Sequence, residues 1–248
     1  MKIKNILITQ PKPESDKSPY FDLAKKQNVK IDFREFIHLE GIPSHEFRKT
    51  RIVILEHTAI ILTSRNAVDH FFRICEEMRV TVPDDMKYFC ISESTALYLQ
   101  KHIVYRKRKI FHGKQTIKDL IELIKKHKDE RYLLPCSDIH KEQITEILDT
   151  QKVKYTKAVL YKTVCSDISD LAKVNYDIIV FFSPSGIKSL FKNFPKFKQN
   201  KTLIAAFGPS TAQAVKEAGL KLNIHAPKPA APSMTMALEE YIKEANKK

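Results

Sequence analysis

The residues whose spacing best suits them to chemistry are small ones. Ser183, Pro184, Ser185 and Gly186 follow the apolar run DIIVFF, and Ile187, Leu190 and Phe191 then recur at helical intervals. A run so short and so rich in β-branched and aromatic residues is a buried strand, so the stretch reads strand, tight turn, helix. Hydroxyls and unpaired backbone N–H groups gather where such a helix begins. The turn therefore suits a carboxylate or phosphate and needs no charged side chain to hold one. Ordinary helix capping would call for the same residues, at about 1 kcal/mol each, and is compatible with ligand binding.

The arrangement recurs. Ile60, Ile61, Leu62 and Thr63 lead into Ser64, Arg65, Asn66 and Ala67, and Ser183 lies 119 positions after Ser64. The stretch SESTALYLQKH from Ser92, with Ser94 and Thr95, matches GPSTAQAVKEAG from Gly208, with Ser210 and Thr211, and the two threonines are 116 apart. A third pair sets Ile6 to Ile8 and Val29 against Leu133, Leu134 and Val153, with the two valines 124 apart. Three matched segments at nearly one offset indicate two copies of one α/β unit.

The positioning elements follow from hydrophobic periodicity. It predicts strands over 4–9, 29–39, 57–63, 87–91, 103–110, 131–134, 154–164, 177–182, 203–207 and 223–225. Helices are predicted over 19–27, from about His45, from the Ser64 turn through Met78, over 94–101, 117–126, 142–150, from the Ser183 turn, over 211–218 and over 235–243. Ser92 or Ser94 is the expected cap of the helix over 94–101, and 167–170 reads as a linker. Alternating strands and helices imply parallel sheets covered on both faces, with ligands held beyond the carboxyl ends of the strands, where all four turns fall.

Composition narrows the function. A chain of 248 residues with 43% hydrophobic and 29% charged residues is that of a soluble globular protein, long enough for two domains of roughly 120 residues. No apolar run approaches the ~20 residues that span a bilayer, and MKIKNILITQ reads as a first strand; no membrane association and a cytoplasmic location are expected. Cys75, Cys90, Cys136 and Cys165 have neither zinc-site nor disulfide-framework spacing, and the nine histidines include no pair spaced to share a metal beside a carboxylate. No metal and no cofactor are expected. The excess of 43 Lys and Arg over 29 Asp and Glu, a net +14, favours a polyanionic partner if it is more than a solvated surface. Basic clusters occur at 106–109, 125–128 and 192–201, but no nucleic-acid recognition signature accompanies them.

FFSPSGIKSLF, AAFGPSTAQAVKEAGL and VLYKTV, in their relative order, resemble the uroporphyrinogen-III synthase family. The resemblance spans nearly the whole chain and is strongest after Arg131. It implies two α/β domains of flavodoxin-like type with parallel sheets, joined by a two-stranded β-ladder and interleaved in chain order. Residues 1–36 plus 166–248 would form one domain and 37–165 the other. It also implies a cofactor-free lyase that takes the linear, eight-carboxylate tetrapyrrole hydroxymethylbilane, expels its hydroxyl as water, inverts the last pyrrole ring through a spiro intermediate and closes the macrocycle. Tyr161, in the segment YKTV, matches the favoured proton donor; the plainer alternative is a strand tyrosine packing its ring. Ser183, Ser185, Gly186, Ser210 and Thr211 would bind substrate in a cleft between the domains, with Ser64, Asn66, Ser94 and Thr95 as counterparts. Arg65 stands where the family commonly has proline, and Ser92 where a glycine is usual. A monomer is expected. Two other readings are a non-catalytic relative that binds a tetrapyrrole or other polyanion and, in third place, a nucleic-acid-binding protein.

Overall fold

Among the described residues, 2–139 and 142–247, the computed structural model contains eleven strands and nine α-helices in almost strict alternation. The first part holds β1 (Asn5–Ile8), α1 (Pro19–Gln27), β2 (Lys30–Phe33), β3 (Ile37–Gly41) and α2 (Ser44–Lys49). Next come β4 (Ala59–Leu62), α3 (Arg65–Glu77), β5 (Lys87–Cys90), α4 (Glu93–Tyr98), β6 (Ile110–His112), α5 (Ile117–Lys126), β7 (Tyr132–Ser137), α6 (Glu142–Thr150) and β8 (Tyr155–Cys165). The last part holds β9 (Ile178–Phe181), α7 (Pro184–Asn193), β10 (Leu203–Phe207), α8 (Pro209–Glu217), β11 (Leu222–Ala226) and α9 (Met234–Lys247).

The chain divides into two compact units, Met1–His38 with Val164–Lys248, and Leu39–Thr163. The first is built on a sheet ordered β11-β10-β9-β1-β2, in which every neighbouring pair is parallel. The other sheet runs β6-β5-β4-β7-β8, again parallel throughout, and β3 adds beside β8. Position by position the two orders are the same, with β9 standing for β4, β10 for β5 and β1 for β7. The repeat legible at offsets near 120 is thus a repeat of topology.

Each sheet is buried on both faces, which explains why its central strands read as continuous apolar runs. All four residues of β4 and of β9 are buried. In Leu39–Thr163 one face packs on α3, which presents Ala67, Val68, Phe71, Ile74 and Cys75 at helical spacing, and the other packs on Leu120, Ile121 and Ile124 of α5. In the other unit Leu238 and Ile242 of α9 cover one face, and Ile187 and Leu190 of α7 with Val215 of α8 cover the other. Full burial of one such side chain is worth about 1.5–3 kcal/mol, so these faces fix the helices to the sheets.

Several expectations are corrected. The strand expected over 29–39 is two strands: Arg34 N–H still bonds Ile8 O at 2.9 Å, but Phe36 turns into the core against Phe181 and breaks the run. The strand expected over 103–110 does not form before Ile110, where β6 starts. Ile103 N–H bonds back to Leu99 O, and Lys109 N–H to Arg106 O, so the four consecutive basic residues sit in a turn that keeps their charges in water. The helix from His45 is the short α2, and the linker over 167–170 passes into a 3-10 turn, Ser169–Lys173. Cys75, Cys90 and Cys136 are buried free thiols, and burial pushes the first two up to about 12 and the third to about 11.

Candidate functional site

Parallel neighbours end in the same direction, so the turns after β9 and β10 lie side by side, separated by roughly the 5 Å strand spacing. Ser183 has extended backbone (φ −154°), and its hydroxyl accepts the Gly186 N–H at 3.3 Å. Gly186 is buried, and a Cβ there would come into van der Waals contact with the Phe181 ring at 3.4 Å. Pro184 has no N–H, which leaves Ser185 as the open backbone donor of this first turn among the described residues. Gly208 starts α8 at φ 86°, a conformation that favours glycine, and gives its N–H to Ala226 O at 2.7 Å. The Ser210 and Thr211 N–H groups then point out of the first turn with no acceptor among the described residues.

In Leu39–Thr163 the turns after β4 and β5 are paired in the same way. Ser64 (φ −164°) accepts the Ala67 N–H at 3.1 Å, leaving the N–H groups of Arg65 and Asn66 open. Ser92 rather than Ser94 caps α4, accepting the Thr95 N–H at 3.3 Å, and the Ser94 and Thr95 hydroxyls both bond to it, at 3.0 and 3.1 Å. One part of the expected ligand set is corrected. Thr211 and Thr95 are 2% and 4% exposed, because the third residue of each helix turns toward the sheet. Thr211 offers its open backbone N–H at the turn, whereas Thr95 has both its N–H and its hydroxyl bonded to Ser92. Ser183 and Ser185 are half-buried, whereas Ser210, Asn66 and Ser94 are exposed.

Tyr161 lies in the same unit as Ser64, whose hydroxyl acts on its phenol. Its ring is 7% exposed, belongs to the core and stacks on the His70 imidazole, with centroids 4.6 Å apart and an interplanar angle of 14°. Burial raises the phenol above its ordinary value, partly offset by the Ser64 hydroxyl, so the group is protonated at neutral pH. His70 is held neutral: burial and the adjacent Arg73 lower it, with Asp69 opposing. Arg73 Nε donates to His70 Nδ1 at 3.2 Å, and since guanidinium is never an acceptor, the imidazole proton resides on Nε2.

Arg73 also donates from Nη2 to the carbonyls of Ile42 and Leu160, each at 3.0 Å, and pairs with Glu77. Leu160 precedes Tyr161, so one guanidinium grips the backbone beside the tyrosine and the ring stacked on it. Gly41 makes room for this, since a Cβ there would fall 2.6 Å from Arg73 Cζ. Sequence reasoning missed His70 and Arg73. Their only signal was their place on α3, six and nine positions after Ser64. Arg65 and Lys101 converge on Tyr98, the guanidinium carbon 5.3 Å and Nζ 4.3 Å from the ring centroid. The Tyr98 hydroxyl donates to Asp69 at 2.9 Å and accepts from Lys101 at 3.0 Å. Among the described residues no cluster of three or more His, Cys, Asp or Glu is placed to hold a metal ion, and no helix is long and apolar enough to cross a membrane.

Fold and turns define an α/β protein in which two similar parallel sheets each end in a pair of strand-to-helix turns. The family model for uroporphyrinogen-III synthase HemD matches residues 34–236, and the chain belongs to that family. Its fold is similar to that of uroporphyrinogen-III synthetase from Helicobacter pylori 26695, at 18% identity and a TM-score of 0.63 over 98% of this chain and 100% of that one. It is also similar to a mutant uroporphyrinogen III synthase from the extremely thermophilic bacterium Thermus thermophilus, at 14% identity and a TM-score of 0.56 over 99% and 100% of the two chains. No curated protein matches the sequence significantly.

Proposed function

We propose that this protein is a uroporphyrinogen-III synthase, closing hydroxymethylbilane with loss of water and inversion of the last pyrrole ring. Membership of that family over residues 34–236 carries the reading. The paired turns give it a physical basis, because a substrate with eight carboxylates needs many anion-holding groups, and open helix N-terminal N–H groups supply them without the desolvation cost of buried charges. Ser183, Ser185, Gly186, Ser210 and Thr211, with Ser64, Asn66, Ser94 and Thr95, are assigned to substrate binding, Thr211 through its open backbone N–H, and Gly186 and Thr95 by shaping the turns whose serines accept their N–H groups. Tyr161 is assigned to the hydroxyl leaving group. Beside Ser64, stacked on His70 and braced through the Leu160 carbonyl by Arg73, it would donate its proton to the departing oxygen as the carbon–oxygen bond breaks. The rest of the rate would come from holding the chain with its reacting ends adjacent.

The reading carries the family's plan with it: a monomeric cytoplasmic lyase of two flavodoxin-like domains, residues 1–36 plus 166–248 and 37–165, joined by a two-stranded ladder. The decisive experiment supplies purified protein with fresh hydroxymethylbilane and separates the oxidised products by isomer. Predominance of the type III macrocycle is expected. Type I at the unassisted rate would reject the enzyme and leave a binding protein.

A further inference from the structure

We propose that the unit Met1–His38 with Val164–Lys248 carries a second ligand site, a cavity for an amphipathic carboxylate with an apolar body and one acidic end. The cavity has a volume of about 860 Å³, within the roughly 300–1,000 Å³ usual for small-molecule sites. Its floor and walls are apolar, formed by Phe36, Ile179, Leu190, Phe194 and Phe197. Its mouth is formed by residues 194–202, which join α7 to β10 where that strand begins. The paired turns described above follow the other ends of β9 and β10, so this cavity is no part of them.

Four of the polar side chains in the walls already have partners. Asn193 donates to the carbonyls of Ser166 and Ser189, both at 2.9 Å, and accepts the Ile168 N–H at 3.1 Å. Thr202 donates its hydroxyl proton to Tyr176 O at 3.0 Å, and the Gln199 amide both donates to Lys221 O and accepts from Lys221 N–H. Asp177, the carboxylate in the lining, accepts from the backbone N–H groups of Lys4 and Asn5, at 2.8 and 2.9 Å. Those four wall groups are therefore pinned, and the amides unengaged among the described residues, Asn175 and Asn200, stand exposed at the edge.

The rim differs. Lys196, Lys198 and Lys201 stand exposed at the mouth, and none forms an ion pair among the described residues. An apolar floor under three uncompensated ammonium groups selects a guest that is apolar at one end and anionic at the other. It selects against the eight-carboxylate tetrapyrrole, most of whose charges would be buried there without partners.

The test is calorimetric titration of the full chain with laurate below its micelle-forming concentration. One saturable site is expected, with dodecylamine and dodecanol weaker by about tenfold or more, the scale set by losing the charged contact. Phe194→Asp should abolish binding. Because that residue is half-buried, the triple variant Lys196→Glu, Lys198→Glu, Lys201→Glu, altered only on the exposed rim, serves as the second arm and should weaken laurate about tenfold or more. Absence of saturation up to about 1 mM, equal binding of the amine, or an unchanged triple variant would each overturn the site. Association with phosphatidylglycerol vesicles without saturable laurate binding would overturn it too, and would make the lysine rim a membrane contact.

Discussion

The two units share a strand order yet equip their turns differently. Ser64 and Ser183 are near copies: both extended, both capping their helix with the hydroxyl, at 3.1 and 3.3 Å from the accepted N–H. The second turns diverge. Ser92 caps with its side chain at φ −146°, whereas Gly208 at φ 86° has none and leaves the helix start bare. Divergence is greater one turn further along. His70 and Arg73 surround Tyr161 in one unit. At the same offset of 119 the other unit has Ser189, fully buried and bonded to Asn193, and Lys192. One copy thus retains hydroxyls and backbone, suited to holding charge, and the other adds titratable groups around a phenol. Duplication supplied the scaffold twice, and the phenol stacked on an imidazole belongs to one copy.

Arg73→Met should break this contrast most severely. It strands the carbonyls of Ile42 and Leu160 and unpins His70, so about 3 kcal/mol of stability should be lost in urea unfolding of the full chain; a loss within ~0.5 kcal/mol of zero would remove Arg73 from the account. Tyr161→Phe keeps the ring and its stacking but removes the proton, so the fold should persist while type III formation slows about tenfold or more. Kinetics equal to the parent would return Tyr161 to a packing role.

Gly208→Ala places a side chain at φ 86° in open space, so strain without a clash should cost about 1 kcal/mol, whereas Ser92→Gly should cost only a few tenths. If the two changes prove equal, the second turns are more alike than their geometry indicates. The smallest effect is in pH. His70 is lowered in the fold, so below its ordinary value of about 6.5 the unfolded chain binds a proton that the native state resists, and stability falls as pH falls. His70→Phe should flatten the thermal midpoint between about pH 5 and 7, and an unaltered slope would assign that dependence to other groups.

Much of this protein is legible without coordinates. Alternating apolar runs and amphipathic stretches determined an α/β chain, the matched offsets determined that it is built twice, and Ser-Pro-Ser-Gly and Gly-Pro-Ser-Thr marked the helix starts. These signals are local, carried by residues within one or two turns of each other, and local physics reads them. Tertiary structure alone decided the rest. The apolar alternation of 29–39 did not disclose that Phe36 would leave the strand to meet Phe181, a residue far along the chain. The hydroxyls of Thr95 and Thr211 look available in the sequence and are buried, because which side of a first turn faces the sheet depends on how the helix packs. His70 and Arg73 looked like polar residues on a helix surface. They meet Tyr161 and Leu160 only when α3 packs against β8, and contacts spanning some ninety residues leave no periodicity to read.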